Sequence, residues 1–348
     1  MNVFIRGPIF SCSGYARVRH LVKELYYLGV NIELTPFNIF DRVKFDHYDL
    51  LKNLQKPLKQ HDFSISVGIP FQFLKKPNVY NIGYTMFEAS TIPKLWVECC
   101  NDMDEIWVPT ETNKIAFELS GVKVPIIVIP FGFDDNIFNI QTNNHSKFKF
   151  LCVGTYIDRK GWDILFKAFN VFLDNRNVQL ICKFDKSNNF AEKEIHDLIY
   201  RFDNIIVIDN NLDDSEMADL YNNVDCFVLP TRGEGFCMTA LESIACGKPV
   251  IITKDCGYGD YLNDNNAWFI RSRGMYPASN RLCNINPVYH NTWFHEPDVD
   301  HLTELLLQVV NNKLEYKKKC NVKVDERFYY KNIAQVVYMR LDQILKEI

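Results

Sequence analysis

Short runs rich in β-branched and aromatic residues alternate with helix-length amphipathic stretches along nearly the whole chain, and they do so in two blocks. The first block has such runs at Val3–Ile5, Ile32–Leu34, Phe63–Val67, Val79–Met86, Glu105–Val108 and Ile126–Ile129. The second has them at Phe148–Val153, Val178–Phe184, Ile205–Ile208, Cys226–Leu229 and Val250–Thr253. These runs are buried-strand signals, and their alternation with helices predicts α/β architecture with parallel sheets covered on both faces. The chain has 348 residues, more than one core usually holds, and two Rossmann-like domains are expected. The Asn-rich stretch Asn136–Ser146 has no apolar period and reads as the linker. The expected division is 1–140 for an N-terminal domain and 141–325 for a C-terminal one. A terminal segment, 326–348, carries Ile333, Val336, Val337, Met339, Leu341, Ile344 and Leu345 at helical spacing.

Composition narrows the function classes. With 47% hydrophobic and 24% charged residues the chain is ordinary for a globular protein, and a net charge of −4 offers no broad basic field for a nucleic-acid backbone. No run of about 18 apolar residues suggests a spanning helix, and the N-terminus lacks a signal-peptide pattern, which points to a cytoplasmic protein. Eleven cysteines without a CxxC pair read as small core residues in a reducing compartment rather than as disulfides or a zinc site.

The chemistry concentrates where strands of the second block end. Phe227 to Pro230 closes a strand, Glu234 and Gly235 form a turn, and a helix runs on to Gly247 and Pro249. Amides near Gly235, Phe236 and Cys237, with the positive end of the helix dipole, suit a diphosphate. Glu242, about two turns into that helix, can accept hydrogen bonds from vicinal ribose hydroxyls, and Glu234 can take hydroxyls of a sugar. A second loop follows the first strand of this block, from Gly154 to Trp162. Its Arg159 and Lys160 are placed to offset negative charge on a departing diphosphate. A third loop, Ser11 to Ala16, leads into a helix from about Tyr15 to Leu28. Gly14 there lets backbone approach a phosphate, while Ser13 as an ordinary N-cap explains the same loop equally well.

Taken together these residues resemble the retaining GT-B glycosyltransferases of family 4. The likeness runs through Gly83–Glu88, Asp104–Thr110, Gly121–Val122, Ile129–Asp134 with Phe138, then Gly154 with Arg159, Lys160 and Gly161, and it is most specific at the E-x7-E pair Glu234 and Glu242. It implies two domains facing across a cleft, with the terminal helix crossing back to the first. It also implies a metal-independent transfer with retention of configuration, from a UDP- or GDP-linked sugar to a glycan, lipid-linked or protein acceptor. Glu234 would contact the transferred sugar, Glu242 the ribose, Arg159 and Lys160 the diphosphate, and Gly14, Gly154, Gly235, Phe236 and Cys237 would line the donor site. No cofactor is implied. Many members act at membrane surfaces, so peripheral membrane contact stays open, although no basic amphipathic helix demands it.

The chain departs from that pattern in three places. Where many members carry a histidine near the donor sugar it offers Glu88, which becomes an acceptor-side candidate. Cys237 and Met238 stand where glycine and a small or apolar residue are usual. Arg271–Trp293 is rich in aromatics and Asn and reads as an insertion over the cleft. The DxD pairs Asp102/Asp104 and Asp298/Asp300 read as helix-start or helix-face acids rather than metal ligands. Two other functions share the architecture: a sugar-nucleotide epimerase and a non-catalytic nucleotide-sugar-binding protein.

Overall fold

The structure is a computed structural model that describes residues 1–11, 14–37, 47–142, 145–184 and 203–348. The chain divides into two compact units, Met1–Asp135 together with Asp325–Ile348, and Asn136–Val324.

The first unit holds a six-stranded parallel sheet of β1 (Asn2–Gly7), β2 (Asn31–Pro36), β3 (Phe63–Val67), β4 (Tyr80–Tyr84), β5 (Glu105–Val108) and β6 (Ile126–Val128), in the order β2-β1-β3-β4-β5-β6. Every residue of β3 and β5 is buried, as expected of parallel strands covered on both faces, and the burial includes the small polar side chains of Ser64 and Ser66 and the carboxylate of Glu105. The helix after β1 spans Val18–Tyr27 and is led in by a 3-10 turn over Gly14–Arg17. Gly29 beyond it, at φ 84°, lets the chain turn back. Ser13, the alternative N-cap, lies outside the described residues.

Residues 325–348 return to this unit. Phe133 and Tyr329 form a parallel bridge, the Phe133 amide donates to the Phe328 carbonyl, and the Tyr330 amide donates to that of Phe133. Gly132 is required there, because a Cβ would lie 2.5 Å from the Phe328 carbonyl oxygen. The helix Tyr330–Glu347 buries Ile333, Ala334, Val337, Leu341 and Ile344. Val336 and Met339, read from the sequence as part of the same face, point to solvent at 53% and 69% exposure. The stripe is narrower than the apolar content suggested because only one side of the helix meets the unit, against Val18–Tyr27.

One charge pair secures this return. Glu105 is fully buried in β5, accepts from the Trp107 indole at 2.7 Å, and pairs with Arg340 of the terminal helix, whose Nε lies 3.1 Å from Oε1. Removing one partner of a buried pair strands the other, so Arg340→Ala is expected to cost about 3 kcal/mol in urea denaturation. Arg340→Lys, which keeps the charge without the fork, should recover part of that.

The second unit has β7 (Phe148–Val153), β8 (Val178–Lys183), β9 (Ile205–Ile208), β10 (Cys226–Leu229), β11 (Val250–Thr253) and β12 (Ala267–Ile270), ordered β12-β11-β10-β7-β8-β9 with parallel pairing. Sequence order runs outward from β7 on one side and from β10 on the other. These two neighbours therefore form the switch point where open α/β sheets bind ligands. Leu151, Cys152, Cys182, Phe227, Val228, Leu229 and Ile251 are wholly inaccessible and form the core around it. The described cysteines are all free thiols, and eight of the ten are buried. The strand β12 was not evident from the sequence. Within 271–293 and just beyond it the chain forms an antiparallel pair, β13 (Ser272–Pro277) and β14 (Trp293–Pro297), with a short helix Asn280–Ile285 between them.

Candidate functional site

The loops after β7 and β10 are tied together by backbone groups. After β7 the chain makes a 3-10 turn over Asp158–Lys160, passes Gly161 at φ 70°, and enters the helix Trp162–Phe169. The Arg232 amide donates to the Arg159 carbonyl at 2.7 Å, the Thr231 hydroxyl donates to the same carbonyl at 3.2 Å, and the Arg159 guanidinium donates to the Gly233 carbonyl at 2.6 Å. A Cβ on Gly161 would sit 1.8 Å from the Pro230 carbonyl oxygen, so only glycine allows the loops to approach this closely.

The three residues read as catalytic meet at this junction. The Lys160 ammonium lies 2.7 Å from Glu234 Oε1, Arg159 Nη1 lies 3.4 Å from it, and the Thr231 hydroxyl donates to it at 2.9 Å. Glu234 is 7% exposed. Burial alone would raise its pKa, but the Lys160 and Arg159 charges and the hydrogen bonds from Lys160 and Thr231 outweigh it and hold the carboxyl below its ordinary range. The sequence reading assigned both cations to a diphosphate. Here both face Glu234, and the trio keeps one net positive charge. Gly154 leaves room for Lys160: a Cβ there would approach the lysine stem to 3.2 Å.

Glu242 is 1% exposed, and its Oε2 accepts from the Tyr221 hydroxyl at 3.0 Å. Its helix spans Met238–Ala245, which places Glu242 just past the first turn rather than two turns in, because the helix starts later than the sequence suggested. Gly235, Phe236 and Cys237 form the entering turn, and Cys237 caps the helix at φ 59°. The Tyr261 hydroxyl lies 2.7 Å from the Phe236 carbonyl oxygen and 2.6 Å from that of Cys237, pinning the turn. Burial, and then the neighbouring Glu234 charge, push the Cys237 thiol up to about 12, so it is no nucleophile at neutral pH. A left-handed conformation is strained for a residue with a Cβ. Cys237→Gly is therefore expected to leave thermal stability unchanged or raise it by up to about 1 kcal/mol, the relief of strain being set against a lost buried side chain.

Thr231, Tyr221 and Tyr261 were missed in the sequence. Thr231 directly follows Pro230 at the strand end, which was a usable signal. The two tyrosines come from distant segments and carried none.

Gly14 and Glu88 belong to the first unit. Tyr15 connects their loops, its hydroxyl donating to the Met86 carbonyl at 2.9 Å and accepting from the Met86 amide at 3.2 Å. Burial, and to a lesser extent Glu88, raise the Tyr15 pKa. A Cβ on Gly14 would make only an ordinary 3.6 Å contact with Met86, so packing within this unit does not require glycine.

Of the acidic pairs, Asp298 caps the helix Val299–Asn311 and Asp300 pairs with Arg273. Asp102 lies at the end of the helix Lys94–Asn101 rather than at a start, and Asp104 accepts from the Asn81 amide in the approach to β5.

The family model for glycosyl transferases group 1 matches residues 133–278, which include β7 to β12 and both loops. The putative glycosyltransferase 45 of Sulfolobus islandicus filamentous virus is 25% identical over 244 residues, 67% of this chain and 65% of that protein. Mannosylfructose-phosphate synthase of Agrobacterium fabrum is 28% identical over 170 residues, 44% of this chain and 37% of that protein. The chain thus spans less than two thirds of the length of either relative. Among solved structures, Anabaena HepE in complex with UDP and glucose superposes with a TM-score of 0.71 at 14% identity, over 99% of this chain and 100% of that one. Sucrose-phosphate synthase from Thermosynechococcus elongatus gives 0.71 at 13% identity, over the whole of both chains. Residues 133–278 thus match the glycosyl transferases group 1 model, and the chain has the GT-B type fold of these solved structures.

Proposed function

We propose that the chain is a glycosyltransferase, a hexosyltransferase by class, that moves a sugar from a nucleoside-diphosphate sugar to an acceptor hydroxyl with retention of configuration and without a metal. The observation that carries this reading is the convergence of Lys160, Arg159, Glu234 and Thr231 where the β7 and β10 loops meet, at the switch point of the second sheet. Cleaving a glycosyl diphosphate leaves charge on the departing oxygens. A trio with one net positive charge, largely shielded from water, stabilises that charge as it develops. Glu234, held ionised, aligns Lys160 and can accept a hydroxyl of the sugar. Glu242, oriented by Tyr221, is the ribose ligand. The donor nucleotide is UDP or GDP, and UDP is the first to test because the HepE complex contains it. The acceptor is a glycan, a lipid-linked sugar or a protein. Among the described residues no helix is long and apolar enough to cross a membrane. Lipid-linked acceptors would therefore be met at the membrane surface.

The test is incubation of the full chain with UDP- and GDP-hexoses and an acceptor panel, with the anomeric configuration of the product read by NMR. The expected outcome is a product of retained configuration, with turnover unchanged in excess EDTA. An inverted product, or activity abolished by the chelator and restored by a divalent cation, contradicts the mechanism. Isomerised donor formed without acceptor would point to an epimerase, and donor bound but neither hydrolysed nor transferred to a binding protein.

A further inference from the structure

Beside the Glu234 junction, and wholly within the second unit, lies a cavity of about 330 Å³ walled by the Asp158–Lys160 turn, Arg232 and the β13/β14 pair. The family match ends at residue 278, so the helix Asn280–Ile285 and β14, which close the cavity, lie outside it. We propose that this cavity is a saccharide subsite that takes one neutral sugar ring of the acceptor.

The polar wall excludes an anion. Three carboxylates, from Asp158, Asp163 and Glu296, face two guanidiniums. Arg232 is clamped between Asp163, at 2.9 and 3.0 Å, and Glu296, at 2.6 and 2.9 Å. Arg159 is turned to the Gly233 carbonyl and Glu234. What the wall offers a ligand is chiefly carboxylate oxygen with lone pairs to spare, which suits hydroxyl donors.

Another part of the lining is aromatic. Tyr276 and Phe294 are paired across β13 and β14, which puts their rings on one face, and Tyr276 is 52% exposed while Phe294 is 4% exposed. A sugar ring has C–H faces for the negative face of an aromatic ring and hydroxyls at its edge for carboxylates, so it matches both parts of the lining. The wall is also held in place. The Ser279 hydroxyl donates to Asp158 at 2.7 Å, and the His295 amide donates to the Arg232 carbonyl at 2.9 Å, in the same loop as Glu234. That tie places a bound ring next to the proposed reaction centre.

Recognition of the ring stands on the cavity alone, whereas its role as acceptor rests on the proposed glycosyl transfer. The test is saturation-transfer NMR on the full chain with a panel of neutral methyl pyranosides in the absence of nucleotide, and separately with UDP and with GDP. The expected result is a pyranoside whose ring protons receive saturation, whose binding weakens about fivefold or more in Tyr276→Ala and is kept in Tyr276→Phe. Equal binding by wild type and Tyr276→Ala, or no pyranoside binding, overturns the subsite, as does tetramethylammonium binding there in place of any sugar. If the pyranoside binds as expected but neither UDP nor GDP does, the subsite stands and the glycosyltransferase reading fails. If either nucleotide binds and no pyranoside does, the reverse holds.

Discussion

Lys160→Ala is expected to lower turnover about 100- to 1,000-fold, the scale seen when one group facing developing charge is removed from a preorganised site. The ammonium is 2.7 Å from Glu234 and is the first of the charges that hold this carboxylate ionised, so its loss acts twice. In the proposed transfer it takes a cation from the leaving diphosphate, and it leaves a buried carboxylate with Arg159 at 3.4 Å and Thr231 at 2.9 Å as its remaining partners. The second effect should appear as about 3 kcal/mol of lost stability at neutral pH. Its pH dependence follows from the lowered pKa of Glu234. The ion pair's stabilisation is fully present above the ordinary carboxylate value of 4.5 and is lost as pH falls through the depressed value in the folded state. Urea denaturation of wild type and variant should thus show a constant gap at pH 6–8 that narrows below the ordinary carboxylate value. A gap that widens in acid would show that Lys160 does not stabilise the ionised form.

Gly161→Ala is expected to prevent folding or to cost at least about 4 kcal/mol, among the largest effects of a single substitution. The added methyl would lie 1.8 Å from the Pro230 carbonyl oxygen, and a clash with backbone cannot be relieved by a rotamer change. The loops would have to part, breaking the Arg232 amide bond to the Arg159 carbonyl and separating Lys160 from Glu234. Gly29→Ala is the matched control. That residue also has positive φ, at 84°, but nothing lies within 4 Å of the added methyl, so only conformational strain of about 1 kcal/mol is expected. Similar melting temperatures for the two variants would mean that the close approach of the loops is not what Gly161 provides.

Apart from β12, the strands of the two main sheets were legible because parallel strands buried on both faces are predominantly apolar, and in β10 the run is unbroken. The loop residues Arg159, Lys160 and Glu234 were legible because they directly follow such runs. Their mutual pairing was not, since it depends on β7 and β10 being neighbours, which no local pattern encodes. Tyr221 and Tyr261 stayed hidden for the same reason: each acts on a turn or helix reached only through the tertiary fold. The segment around β13 and β14 was recognised as unusual but not as strands, because exposed, antiparallel, aromatic-rich pairs share neither the period nor the burial of the main sheets. Cys237 shows the reverse case. Its place where glycine is usual was visible in the sequence, and the positive φ supplies the physical reason for that preference.

The most direct test of the site is calorimetric titration of the full chain with UDP and with GDP, in wild type and in Lys160→Ala. The account predicts that one nucleotide binds the wild type and that its affinity falls about 100-fold or more in the variant, about 2.7 kcal/mol of binding free energy. Undiminished affinity in a folded Lys160→Ala protein would place the diphosphate elsewhere and contradict the account.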